Sequence, residues 1–139
     1  DALMNSNYNT NYTKEQIEAI LNTIKKCVKD NHYTIAQNEK RQENIDLITN
    51  YNLNSQKQKE ILLKIQPEDF CYSLQNEHIG FEHEVLYVFC PQVMLFTLDD
   101  EEEQVDIYAK FNIIDVSNGQ RVIVISFHKR NNPIDYLFR

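Results

Sequence analysis

Val105-Asp106-Ile107-Tyr108-Ala109-Lys110-Phe111-Asn112-Ile113-Ile114 and, after a short turn, Arg121-Val122-Ile123-Val124-Ile125-Ser126-Phe127-His128 both carry the patterning of β-strands. Successive strand side chains point to opposite faces. Ile107, Ala109, Phe111 and Ile113 therefore form an apolar side, and Tyr108, Lys110 and Asn112 a polar one. The connection Asp115-Val116-Ser117-Asn118-Gly119-Gln120 admits two registers. A type I′ loop at Asn118-Gly119 would turn Val124, Ser126 and His128 toward the apolar side and drive an imidazole into the core. A three-residue loop, Ser117-Asn118-Gly119, with Gly119 in the left-handed bulge position, avoids this. In that register Ala109, Phe111 and Ile113 oppose Phe127, Ile125 and Ile123. Tyr108 then faces His128, and Lys110 faces Ser126. Directly opposed Cβ atoms lie about 5 Å apart, so a phenol, an imidazole and an ammonium are expected together on one non-apolar face.

The chain has 139 residues, enough for one domain with a real core. Seven Phe, eight Tyr and 42% hydrophobic residues exclude wholesale disorder. No apolar run approaches the roughly 20 residues that span a bilayer, and there is no charged-then-apolar leader, so a soluble protein is expected. The three cysteines, Cys27, Cys71 and Cys90, are odd in number and lack CxxC spacing. They argue against a disulfide framework or zinc site and fit a reducing cytoplasm. The net charge of −7 weighs against nucleic-acid binding, because phosphates demand cations. Its distribution is uneven, however: Asp99-Asp100-Glu101-Glu102-Glu103 is one acidic run, which reads as a solvated loop, whereas Lys110, Arg121, Lys129, Arg130 and Arg139 cluster late in the chain.

Residues 1–11 read as a lead-in outside the fold: Asp1-Ala2-Leu3 resembles a cloning remnant, and the Asn-rich stretch to Tyr12 has nothing to bury. Residues 12–139 are expected to form a single domain. Thr13-Lys14-Glu15-Gln16 is a capping-box pattern leading into an apolar stripe of Ile17, Ile20, Leu21, Ile24 and Val28, which ends near Asp30-Asn31. Tyr33-Thr34-Ile35 is an extended link. A second helix opens at Asn38 or Glu39, and a third follows a capping box at Ser55-Gln56-Lys57-Gln58. Pro67-Glu68-Asp69-Phe70 starts one or two further helical turns reaching about Leu74. Strands are expected at Val85 to Phe89 and Val93 to Leu98, bent at Cys90-Pro91. After the hairpin, Asn131-Asn132-Pro133 is turn material and Ile134 to Phe138 an apolar tail able to dock on the sheet. Helices first and strands after make an α+β fold, with N-terminal helices packed on one face of a C-terminal antiparallel sheet and the other face open.

The Pro67-Glu68-Asp69-Phe70 segment, the strand Glu84-Val85-Leu86-Tyr87, the strand Val105-Asp106-Ile107-Tyr108-Ala109-Lys110 and the closing Val124-Ile125-Ser126-Phe127-His128 resemble the MqsR (motility quorum-sensing regulator) family of toxins, within the RelE-like fold group. The resemblance runs from about Tyr33 to Lys129. It implies a cytoplasmic, metal-independent endoribonuclease that cuts single-stranded mRNA, uses no cofactor and is held inactive by a cognate antitoxin. The family tyrosine of the penultimate strand falls on Tyr108, and the basic residue after the Ser-Phe pair falls on His128. An upstream family lysine falls on Tyr72 and a glutamine on Glu84, which are departures from the pattern.

RNA cleavage without metal needs a base for the 2′-hydroxyl, an acid for the leaving 5′-oxygen and a cation for the charge that grows on phosphate. His128 is the candidate acid or base, imidazole being the side chain that titrates near neutral pH. Lys110, or Arg121 if it reaches, would steady the phosphorane. Tyr108 would position phosphate or stack on a base, and His83 with Glu84 is the candidate second acid–base pair. Tyr72, Tyr87, Arg121, Lys129 and Arg130 are the candidate RNA-binding residues. Each has a plainer reading: a Tyr opposite a His is also an ordinary half-exposed cross-strand pair, and His83-Glu84 beside Glu82 is also a solvated strand entrance. His78, Glu82, His83 and Glu84 carry zinc-ligating groups, but no i, i+4 pair on a helix frames them. The acidity supports a different class of function: a non-enzymatic antitoxin or immunity-type protein that neutralises a basic toxin.

Overall fold

A computed structural model describes residues 8–139, which leaves the cloning-remnant reading of Asp1 to Leu3 outside the described residues. Three helices, α1 (Lys14–Lys29), α2 (Gln42–Asn50) and α3 (Ser55–Leu63), precede most of a six-stranded sheet. The strands are β1 (Tyr33–Ile35), β2 (Phe70–Gln75), β3 (Val85–Phe89), β4 (Gln92–Phe96), β5 (Glu102–Val116) and β6 (Gly119–Lys129). The fold is α+β. The sheet runs β1-β6-β5-β3-β2, with β4 also paired to β5. Every pairing is antiparallel except β1 with β6, which is parallel.

The local signals explain the helices. The Thr13 hydroxyl accepts from the Gln16 amide (3.1 Å) while the Gln16 side chain accepts from the Thr13 amide (2.8 Å), closing the expected capping box. Ile17, Leu21, Ile24, Cys27 and Val28 of α1 are buried against the sheet. The α3 cap lies one residue earlier than expected: Asn54, not Ser55, accepts from the Lys57 amide at 2.9 Å. The helix expected to follow Pro67 is only the 3-10 turn Pro67–Asp69, and β2 begins at Phe70. Pairing with β3 outweighs the helix-start signal there, since β2 buries Phe70, Cys71, Tyr72 and Ser73 within the sheet.

The core face of the sheet carries Phe89, Val105, Ile107, Ala109, Phe111, Val122, Val124 and Phe127, with Phe70, all buried. Four phenylalanines there, Phe70, Phe89, Phe111 and Phe127, are fully buried, each contributing about 1.5–3 kcal/mol relative to exposure. β3 and β4 form one line along β5, interrupted at Cys90-Pro91 as the proline anticipates. The acidic run is a turn only in its first half: the Thr97 hydroxyl accepts from the Asp99 and Glu101 amides, and Glu102 and Glu103 already belong to β5.

The hairpin register follows the sequence at one end only. Tyr108 faces His128, Ala109 faces Phe127 and Lys110 faces Ser126, as expected. Beyond a bulge the pairing shifts, so that Phe111 faces Val124, Ile113 faces Val122 and Val116 faces Gly119. The loop is therefore Ser117-Asn118, with Gly119 (φ +129°) opening β6. Ile125 is the extra residue, and Ile123 and Ile125 are half-buried rather than in the core.

A bulge frees backbone groups, and α2 captures them. The Asn44 amide donates to the carbonyls of Ile125 (3.0 Å) and Ala36 (2.9 Å), while its oxygen accepts from the Phe127 amide (2.8 Å). Asn44 is thus a buried polar residue with donors and acceptor engaged.

Residues 8–12 and the tail both pack onto the sheet. Asn9 exchanges backbone hydrogen bonds with Ser73 (3.0 and 2.9 Å), the Tyr12 hydroxyl meets the Ser73 hydroxyl at 2.7 Å, and the Leu137 amide donates to the Phe70 carbonyl at 3.0 Å. These contacts cover the outer edge of β2, which would otherwise present unpaired groups. Tyr8 to Asn11, read from the sequence as outside the fold, therefore lie against it.

Candidate functional site

The sheet face away from α1 is not fully open. Tyr72, Val88, Cys71 and Cys90 make a small second core there, packed by Tyr8, Leu74, Tyr108, Ile134 and Tyr136. The chain after β6 crosses this face before reaching β2, and the Tyr136 hydroxyl donates to the Cys90 carbonyl at 2.7 Å. Between this crossing and the sheet lies a cavity of about 580 Å³, walled by Tyr8, Tyr72, Tyr108, His128 and residues 131–135.

Four rings line up in it. Tyr8 stacks on Tyr72 (centroids 4.1 Å apart, planes at 11°), the Tyr72 and Tyr108 hydroxyls are 3.1 Å apart, and Tyr108 stacks on His128 (5.4 Å, 16°). Burial pushes the Tyr72 and Tyr108 phenols up, Tyr72 the more strongly because Tyr108 adds to the effect. Both remain neutral hydrogen-bond donors at physiological pH. The Tyr108 face turned to His128 is occupied, so this tyrosine is better placed to offer its hydroxyl than to stack on a base.

His128 is oriented by its neighbours. Its Nδ1–H donates to the Lys129 carbonyl oxygen at 2.7 Å. A carbonyl can only accept, so the proton of the neutral ring sits on Nδ1 and the lone pair on Nε2. The Glu43 carboxylate of α2 stands 3.8 Å from the same Nδ1 and accepts from the Asn131 side chain at 2.8 Å. A histidine held in one tautomer, with an acid behind it and neutral phenols beside it, is equipped to take a proton at Nε2 while the phenols donate to a bound oxyanion.

Of the residues singled out in the sequence, Tyr72, Tyr108 and His128 come together. Lys110, two residues along β5 from Tyr108, lines a neighbouring cleft. His83 and Glu84 are in the β2–β3 loop, and neither lines the His128 cavity; Glu84 is engaged by the Asn76 amide at 2.9 Å. Arg121, near the hairpin turn, donates to the Tyr33 carbonyl (3.1 Å) and the Thr34 hydroxyl (2.5 Å), tying β1 to β6. Tyr87 faces the core with Tyr12. Lys129 also points to the helix side, 5.2 Å above the Tyr51 ring and 3.6 Å from Glu103. Arg130 is paired with Asp106 at 3.2 Å and braces the start of the crossing segment through the Asn132 carbonyl. These residues shape the fold around the cavity rather than line it. Among the described residues no three of His, Cys, Asp and Glu converge as a metal site would require.

Sequence reasoning missed Tyr8, Glu43 and Asn44. Tyr8 stood in a polar stretch, yet an isolated aromatic there was the available signal. The α2 residues carry no local signal, because only the tertiary fold brings α2 alongside β6. Compared with known proteins, the chain matches no protein-family profile, no curated protein and no solved structure. No helix among the described residues is long and apolar enough to cross a membrane.

Proposed function

We propose that the protein is an endoribonuclease of the RelE-like kind, the toxin of a type II toxin–antitoxin pair, acting on single-stranded mRNA in the cytoplasm without a metal ion. The observation that carries this reading is the His128 ring, fixed through Nδ1 and stacked on Tyr108 in a cavity also lined by Tyr72. Helices on one face of a mainly antiparallel sheet agree with the fold the proposal requires.

In the proposed reaction Nε2 of His128 takes the 2′-hydroxyl proton as that oxygen attacks the adjacent phosphorus. The Tyr72 and Tyr108 hydroxyls donate to the phosphoryl oxygens as charge grows there. The bond to the 5′-oxygen breaks, leaving a 2′,3′-cyclic phosphate. The departing alkoxide is basic enough to take the Tyr108 proton, and the imidazolium restores it through solvent. Incubation of purified protein with end-labelled single-stranded RNA in chelator should yield cyclic-phosphate ends, and His128→Ala should lower the rate by at least about 10²-fold. Cleavage by the variant at the wild-type rate would remove His128 from the mechanism.

A second reading has its own support. Exposed Met94, Phe96 and Leu98 border the acidic turn, beside a groove of about 720 Å³, and such a surface suits an antitoxin or immunity-type protein that binds a basic partner. Salt-sensitive capture of a basic toxin, with no RNA cleavage, would favour it over the nuclease.

A further inference from the structure

We propose that the outer edge of β4 accepts an extended basic segment of a partner protein as an added β-strand. The proposal rests on the partner-binding reading of this surface and is independent of RNA cleavage.

The ladder defines the edge. The Ile107 amide donates to the Pro91 carbonyl at 2.9 Å, and the Thr97 amide to the Glu101 carbonyl at 2.9 Å. Hydrogen-bonded pairs alternate with non-bonded ones along an antiparallel ladder, so Val93 and Leu95 bond to β5 opposite Val105 and Glu103. The amides and carbonyls of Gln92, Met94 and Phe96 therefore point the other way, and among the described residues no backbone group takes them up. Just upstream the same edge is covered, since the Cys90 amide donates to the Asp69 carbonyl at 2.8 Å and β2 lies along β3. The cover stops there because β2 starts only at Phe70, after the 3-10 turn Pro67–Asp69.

Natural sheets guard an open edge with charge, proline or a covering loop. β4 itself has no charged residue and no proline, and Met94, Phe96 and the neighbouring Leu98 are 53%, 58% and 67% exposed. The edge borders the groove of about 720 Å³, to which Leu53 and Ile61 contribute apolar wall and Lys57 and Lys64 of α3 a polar margin. A strand added to β4 lays alternate side chains into this groove and gives its backbone bonds to Gln92, Met94 and Phe96.

Charge selects the occupant. Asp99, Asp100, Glu101 and Glu102, at the C-terminal end of the edge, are exposed, and none of them forms an ion pair among the described residues. At the opposite end Arg139 is paired with Asp69 and donates to the Gln92 side chain, both at 3.0 Å. Negative charge is thus left at one end of the edge. A segment that is apolar at alternate positions and carries Lys or Arg where it passes the turn complements both features. A second copy of this chain does not, since it brings the same acidic turn and a net charge of −7.

The test uses a fluorescent peptide of about nine residues alternating valine with lysine, long enough to span the edge at about 3.3 Å per residue. It should bind the protein and slow amide exchange at Met94 and Phe96, the outward-pointing positions, with little change at Val93 and Leu95. The same peptide with alternate amides N-methylated cannot donate to the edge and should bind at least about 10-fold more weakly. Met94→Pro removes an outward amide and no bond to β5, and should weaken binding by about 10-fold; circular dichroism checks its folding. Asp100→Asn with Glu101→Gln leaves the edge intact and should weaken binding about 3- to 10-fold while flattening its salt dependence. Failure of the parent peptide to bind at millimolar concentration overturns the proposal. Equal binding of the two peptides, or binding without protection at Met94 and Phe96, overturns strand addition and leaves the partner-binding reading standing. If the protein alone sediments as a dimer with those two amides already protected, the occupant is a second copy and the partner assignment is overturned. If the peptide binds as expected and the protein also cleaves RNA, the docking edge stands and the antitoxin reading falls.

Discussion

The Tyr108 ring lies over the His128 ring with centroids 5.4 Å apart and planes within 16° of parallel. Because the two residues are directly paired across β5 and β6, the stack is held by backbone hydrogen bonds rather than by loop conformation, and the imidazole has little freedom to leave the cavity.

Tyr108→Phe keeps that stack and removes one hydroxyl. If the phenol serves the transition state, the rate of RNA cleavage should fall by about 10²-fold with the melting temperature little changed. Tyr72→Phe should cost less, since Tyr108 would retain its hydroxyl. Single-turnover kinetics on both variants decides the order.

Asn44→Ala leaves the Ile125 carbonyl and the Phe127 amide without their partner. Stranding buried groups costs about 1–3 kcal/mol each, so urea unfolding should show a loss of about 2–6 kcal/mol. The loss should be accompanied by faster amide exchange at Phe127. Normal stability in this variant would mean that water replaces the side chain at the bulge.

Tyr8→Ala removes the ring stacked on Tyr72 in the wall of the His128 cavity. Stability should fall by about 1–2 kcal/mol. If the cavity holds RNA, binding of a non-cleavable 2′-O-methyl RNA should weaken more than the stability change explains, as measured by titration.

Burial pushes the Cys71 and Cys90 thiols up, so the folded state holds them neutral. Such groups stabilise fully at pH values below the ordinary thiol pKa of about 8.5. The contribution declines as pH rises beyond that value, because the unfolded chain releases protons that the folded one retains. The melting temperature should therefore fall between pH 8 and pH 10. Cys71→Ala with Cys90→Ala should flatten that fall, and both thiols should resist alkylating reagents in the native protein.

Much of the fold was legible along the chain. Capping at Thr13, the apolar stripe of α1 and the alternation in β5 are local patterns whose periods differ between helix and strand. The pairing of Tyr108 with His128 followed from requiring the apolar sides of the two strands to agree. The turn end was misread by one residue because alternation cannot register an extra residue buried within a strand; only the Asn44 contact from α2 shows why Ile125 can be accommodated. The Pro67 segment was misread because a helix-start signal is local, whereas its pairing with β3 is not.

The sequence by itself determined the α+β plan and which two residues would meet across the hairpin, because alternation and capping depend on near neighbours in the chain. Only the tertiary structure decided that Tyr8 and residues 131–135 roof the sheet and that Glu43 stands behind His128. Those relationships join segments distant in sequence, and their geometry comes from packing α2, the lead-in and the tail around one sheet.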